Sequence, residues 1–455
     1  MPGKREAEIK VLTEYAKREG SQLLVLYGEK GVGKTTLLQE FTREYKDVVN
    51  FDCSIVSDRE QLFLWGQKMA SVLGELPEYP DFSDIFTALN NKNDSDEKRI
   101  LIFDEFQNIA KVSEEFADYL FTHLQTSRKN VFIILCSSQV EWIENSMIRR
   151  FGLRAKNISG FLKVKELPFA EFVKEFPQFT MNECIDGYSV FGGFPAIWNL
   201  IDKKLSLEEN IIKQVCNPNN MLYHFGVWTV ESQLRETSVY NTILCALAHG
   251  KYKLNDLYQH TGYSRAKISV YIKNLMELGI LEKDFSVDTE GRDNLQKGIY
   301  GISNRYVDFT YQFLFPNTEI LRALGAKEFY RQYIKPEMKA FTQKTFAVIC
   351  REYIENENRR GTLPFTVKSV GKWTGKVGNI DIVARDGSGR TIIGLCNWEK
   401  PVMKYEDYEW LLFCAKQAKL PTDYIYLISA GGFDEKLQLA QKSRANIRLI
   451  TPDKM

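Results

Sequence analysis

Gly28-Glu29-Lys30-Gly31-Val32-Gly33-Lys34-Thr35-Thr36 directly follows the apolar run 22–27. The spacing is that of a phosphate cradle, G-x-x-x-x-G-K-[ST], set between a strand and a helix. Gly28, Gly31 and Gly33 let the backbone curl so that successive N–H groups face phosphate oxygens. The helix opening near Lys34 adds the positive end of its dipole. Lys34 can reach the β- and γ-phosphates of a nucleotide, and the Thr35 hydroxyl is placed to hold Mg²⁺.

A second chemical signal lies about 70 residues on, where the apolar run 99–103 ends in Asp104-Glu105-Phe106-Gln107. A strand that delivers two carboxylates at its C-terminal end places them in the crevice where α/β sheets bind ligands. Asp104 would hold Mg²⁺, directly or through water, and Glu105 would orient and polarise an attacking water. The next apolar run closes in Cys136-Ser137-Ser138-Gln139. Ser138 is a candidate to sense the γ-phosphate or to position water; a plain serine turn is the alternative.

The elements that must carry these residues are short apolar strands at 22–27, 48–53, 99–103 and 130–136, with helical patterns at 34–46, 58–74 and 113–127 between them. Such alternation predicts a parallel sheet covered on both faces. Residues 94–98 read as a solvated loop. At 455 residues the chain has room for about three domains. A net charge of +1 leaves no global basic field, so any nucleic-acid contact has to come from a local patch. The eight cysteines form no C-x-x-C pair, and several lie in apolar runs, which predicts core thiols in a reducing compartment. The four histidines show no metal-ligand spacing, and no apolar run approaches a membrane span. The expected location is cytoplasmic.

Taken together, these motifs resemble the archaeal-type P-loop ATPase family, close to the AAA and STAND groups and also found in bacteria. The resemblance is carried by Arg5-Glu6-Ala7-Glu8, Tyr27 to Thr36, Asp104 to Gln107, Cys136-Ser137-Ser138, Leu167-Pro168-Phe169 and Phe191-Gly192-Gly193-Phe194-Pro195, across roughly residues 1–230. It implies an α/β P-loop NTPase core of the catalytic-glutamate type over 1–170 and a helical lid over 171–235, with ATP/ADP and Mg²⁺ as ligands. It further implies that Arg5 packs near the adenine and that Pro195 lies by the nucleotide; a turn between lid helices is the bland reading of 192–195. An arginine finger is not assigned among Arg149, Arg150 and Arg154.

From Ser238 the pattern changes to short helices at 240–248, 254–260 and 265–278, with Ser264 as an N-cap. A charged loop at 288–297 and a strand at 298–302 follow, giving a winged helix-turn-helix over 236–312. Its recognition helix carries Arg265, Lys267, Ser269 and Lys273, and residues 251–283 hold six basic against three acidic side chains. DNA contact through 264–275 and a protein-binding or intramolecular role are both open. The aromatic segment 306–316 is expected to be core.

Residues 313–455 resemble a PD-(D/E)XK nuclease-like, α+β restriction-endonuclease-like domain. Asp381 stands at the first acidic position, but Leu395 and Asn397 occupy the Glu and Lys positions of the second strand, and Thr342-Gln343 stands where an upstream acid is expected. Leucine cannot ligate a hard cation and asparagine supplies no positive charge. Loss of nuclease activity is expected, with Asp381 a relic or a structural acid. The leading expectation is an Mg²⁺-dependent ATPase that hydrolyses slowly and switches conformation. The alternatives are a DNA-binding regulator with nucleotide as conformational ligand and, last, an ATP-gated nuclease. Partner and oligomeric state are left open.

Overall fold

The computed structural model of the chain describes residues 5–74, 76–91, 98–232, 234–287 and 299–455. The loop expected at 288–297, Gly298, and residues 94–97 lie outside them.

The first sheet contains β1 (Gln22–Tyr27), β2 (Val48–Asp52), β3 (Arg99–Asp104), β4 (Val131–Ser137) and β5 (Gly160–Lys163), in the order β2-β3-β4-β1-β5 and parallel throughout. Its near-continuous apolar strands follow from burial on both faces. Leu24, Leu26, Ile100, Ile102, Phe132 and Ile134 join one core with the helices Glu6–Lys17 and Lys34–Thr42. The alternate residues Leu23, Val25, Leu101, Phe103, Ile133 and Leu135 join the other, against the helices Asp58–Leu73, Phe82–Asn91 and Glu114–Thr126. The strand period of two divides each run between the two layers.

Among the elements of the first domain that the sequence pattern did not announce are a helix and an edge strand. Helix Phe82–Asn91 begins at reciprocal bonds between Asp81 and Asp84, whose carboxylates accept each other's backbone N–H at 2.8 and 2.9 Å. β5 is a four-residue edge strand that leaves Phe161 exposed, so it lacks a buried apolar run.

The lid is helical, and its helix Met181–Phe191 starts at a capping box between Thr180 and Glu183. The winged helix follows with helices Thr237–Ala248, Leu254–Thr261 and Arg265–Glu277 and the antiparallel pair β6 (Leu281–Asp284) and β7 (Ile299–Ile302). Ser264 caps the third helix by accepting from Lys267 N–H. Tyr306, Phe309, Tyr311 and Phe313 are buried, as expected of the segment that follows.

The C-terminal domain is a five-stranded mixed sheet in the order β12-β11-β10-β9-β8. Its strands are β8 (Ser369–Thr374), β9 (Asn379–Arg385), β10 (Thr391–Asn397), β11 (Tyr424–Ser429) and β12 (Ile447–Ile450). Helix Met338–Arg360 packs on β9 and β10. The wing reaches this sheet: Val287 N–H donates to Lys372 O at 2.9 Å, and Thr374 N–H donates to Ser286 Oγ at 3.1 Å.

Candidate nucleotide site

The strand order brings three loop tips together. β4 stands between β1 and β3, so Ser137 and Ser138 lie between the glycine loop and Asp104-Glu105. Gly28 has no room for a side chain, because a Cβ would sit 2.1 Å from Val164 O. Gly33, at φ +99°, turns the loop into helix Lys34–Thr42 without a side-chain cap. The first N–H groups of that helix have no intrahelical acceptor and are available to an anion. The Lys34 ammonium is buried and donates to Gly28 O at 2.7 Å and Glu29 O at 3.0 Å.

Arg5 lies against the loop. Its buried guanidinium donates to Val32 O at 2.6 Å and Lys165 O at 2.8 Å, with Glu8 at 2.9 Å. Burial lowers its pKa, and Glu8 works the other way. The lid closes on the same loop: Ala196 N–H donates to Gly31 O at 3.4 Å, and Pro195 Cγ is 3.5 Å from where a Cβ on Gly33 would lie. Lys30, Thr35 and Thr36 are exposed, while Val32 is buried.

Asp104 ends β3 and accepts from Glu105 N–H at 3.0 Å. Burial pushes its carboxyl up and the Glu105 charge adds to this, while the Cys136 thiol and Lys34 act against it. Glu105 takes a left-handed φ of +53°. Its Oε2 accepts from Ser138 Oγ at 2.6 Å, Ser138 N–H at 3.3 Å and Gln107 Nε2 at 2.5 Å. Lys34, Asp104, Glu105 and Ser138 therefore form one cluster.

The structure also brings together residues that the sequence did not single out. Glu166 accepts from Gly193 N–H at 3.1 Å and pairs with Arg305, which stacks over the Tyr188 ring at 4.7 Å. Burial works against the Arg305 charge, but Glu166, Tyr188 and Glu352 together raise its pKa. Glu352, on the long C-terminal helix, accepts from Phe169 N–H at 3.0 Å. Lid, winged-helix exit and C-terminal domain thus meet at one cation. The Glu29 side chain lies against Gly279 at the end of the recognition helix. Arg150 and Arg154 pair within the chain, with Glu114 and Asp118.

In the C-terminal domain, Asp381 Oδ2 accepts from Cys396 N–H at 2.9 Å. Asn397 Nδ2 donates to Lys400 O at 3.0 Å and Ser429 Oγ at 2.9 Å. A cavity of about 430 Å³ here is lined by Gln343, Asp381, Leu395, Asn397, Lys400 and Trp410. Among the described residues no group of three or more His, Cys, Asp or Glu could hold a metal ion. No described helix is long and apolar enough to cross a membrane.

Residues 4–202 match the family described as an ATPase domain predominantly from Archaea, and 241–283 match bacterial regulatory proteins of the arsR family. Residues 310–409 match a family of archaeal and bacterial proteins of unknown function. The chain therefore joins an archaeal-type ATPase domain, a winged helix-turn-helix and a separate C-terminal α/β domain. It is 25% identical to the uncharacterised protein MJECL04 of Methanocaldococcus jannaschii over 402 residues, 87% of each chain. In fold it is similar to the Walker-type ATPase PABY2304 of Pyrococcus abyssi, with a TM-score of 0.52 and 18% identity over 68% of this chain and 95% of that one. The Orc1 protein of Aeropyrum pernix in complex with DNA aligns at a TM-score of 0.38 and 14% identity, over 70% and 94%.

Proposed function

We propose that the chain binds ATP with Mg²⁺ and hydrolyses it slowly, using the cycle to change how lid, winged helix and C-terminal domain engage the core. The observation that carries this reading is the single cluster of Lys34, Asp104, Glu105 and Ser138 at the tips of β1, β3 and β4. The positive φ of Gly31 and Gly33 curls the loop backbone as a phosphate cradle requires. Two half-buried carboxylates in succession at the end of β3 fit a divalent cation. Thr35 and Asp104 would hold Mg²⁺, which when bound supplies charge neutralisation to the phosphate oxygens.

Glu105 would accept a hydrogen bond from the attacking water and take its proton as the water oxygen bonds to the γ-phosphorus. The bond from that phosphorus to the bridging oxygen breaks, and ADP leaves with the oxygen. Lys34 would balance charge on the phosphates, and Ser138 would hold the Glu105 carboxylate. Pro195 and Ala196, lying on the loop, would follow the presence of the nucleotide.

Lys34→Ala is expected to abolish both nucleotide binding and turnover, and Glu105→Gln to abolish turnover with binding intact. Unchanged phosphate release by Glu105→Gln would refute the assignment. A DNA-binding reading is favoured by the exposed Arg265, Lys267, Ser269 and Lys273 on the recognition helix. A DNA-binding titration tests it: affinity that falls with salt and is lost in Arg265→Ala with Lys267→Ala supports DNA contact, and indifference to both removes it.

A further inference from the structure

We propose that Gln107 is a positioning residue that anchors one oxygen of the Glu105 carboxylate so that the other faces the reacting water; this rests on the ATPase reading above. Gln107 opens the short helix after β3, is 2% exposed, and donates from Nε2 to Glu105 Oε2 at 2.5 Å. Its amide orientation follows from chemistry: an ionised carboxylate only accepts, so the atom facing it must be the NH₂. That leaves Gln107 Oε1 buried with no hydrogen-bond partner among the described residues. An orphaned buried carbonyl is costly, and an apolar side chain of similar shape would remove it. A residue present only for packing has no reason to keep that oxygen, whereas one present to donate to Glu105 has.

The surroundings agree. All three hydrogen bonds to the Glu105 carboxylate, from Ser138 N–H, Ser138 Oγ and Gln107 Nε2, fall on Oε2. Among the described residues none falls on Oε1. The residue also holds φ +53°, a left-handed conformation that non-glycine residues adopt at a cost. Backbone strain, a three-donor anchor and an orphaned carbonyl all converge on the aim of one carboxylate. Ser138 anchors from β4 and Gln107 from the chain after β3, so the carboxylate is gripped from two elements.

The test is Gln107→Leu, with Gln107→Met as a second variant of similar length. The expected result is a fall in kcat of about 10- to 100-fold, the scale of a misaimed reacting group. The ATP dissociation constant should stay within about twofold and Tm should be unchanged or higher. A kcat unchanged in both variants overturns the proposal, as does a parallel fall of kcat and Tm, the signature of a packing role. If Glu105→Gln itself turns over at the wild-type rate, the catalytic assignment of Glu105 fails first, and with it the ground for aiming its carboxylate. If it is inactive while Gln107→Leu is not impaired, only the positioning assignment falls.

Discussion

Asp381 shows what holds a single carboxylate in the C-terminal sheet. Burial pushes its carboxyl up, the Cys396 N–H holds it down, and Arg351 donates at 2.9 Å to the Asp381 backbone carbonyl. Leu395 and Asn397 stand at the Glu and Lys positions of the nuclease-like pattern, and the Asn397 amide is already tied to Lys400 and Ser429. We propose the structural role for Asp381, one of the two its sequence position left open, because it accepts the Cys396 N–H. Asp381→Ala is therefore expected to lower stability by about 1–3 kcal/mol, the cost of stranding a buried N–H. A denaturant titration measures this. A plasmid incubated with Mg²⁺ or Mn²⁺ should remain intact with wild type and variant alike, and nicking abolished by Asp381→Ala would contradict the assignment.

At the scale of elements, the lid and C-terminal domain are joined through helix Met181–Phe191 and helix Met338–Arg360. Asp186 Oδ1 accepts from Thr342 Oγ1 at 2.7 Å and from Trp398 Nε1 at 3.1 Å. Burial pushes the Asp186 carboxyl up to about 6, opposed by the bonds from Thr342 and Trp398 and by Lys339, with Glu183 adding to the rise. The native state thus holds this proton more tightly than the unfolded chain, whose carboxyl titrates near pH ~3.9. The stability it contributes is full below pH ~4 and is lost as pH climbs to about 6. Asp186→Asn keeps the acceptor and removes the charge, so its Tm should exceed wild type at pH 8 and by less at pH 5. An equal gain at both would show that the charge is not the cause.

The same scale explains what could be read in advance. The glycine loop and Asp104-Glu105 are local patterns whose chemistry is fixed by offsets of a few residues, so sequence suffices. Gln107 was visible within its motif, but Ser138, which donates to the same Glu105 oxygen, is reached only because β4 inserts between β1 and β3. Arg305 and Glu166 are 139 residues apart, and no periodicity links them. β5 escaped because an edge strand with one exposed face carries little apolar signal, whereas the Asp81–Asp84 pair before helix Phe82–Asn91 was a start signal that could have been used.

For the whole molecule, the winged helix is seated on the ATPase loop itself. Gly279 has φ +72°, and a Cβ there would lie 2.4 Å from Glu29 Cγ. Burial raises the Glu29 carboxyl to about 8, helped by the charges of Glu166 and Glu282 and opposed by Lys163 and Arg305. The docked state therefore favours the neutral acid. Its stabilisation is full below an ordinary carboxyl pKa of about 4.5 and declines as pH rises to about 8. Limited proteolysis between pH 6 and 9 should find the winged helix increasingly easy to release in wild type. Glu29→Gln, uncharged throughout, should show a flat response; a parallel pH dependence in both would assign the effect to another group.

The bonds from residues 286 and 287 to β8 carry one more consequence. β8 is the outermost strand of its sheet, and a bare strand edge is a template on which other chains can polymerise. Wing residues occupy part of that edge. A winged helix that swung fully free would unmask an adhesive rim, so the wing acts as both leash and guard. If the winged helix moves, a pivot about this seam would leave the edge covered, whereas a motion that tears it would invite self-association.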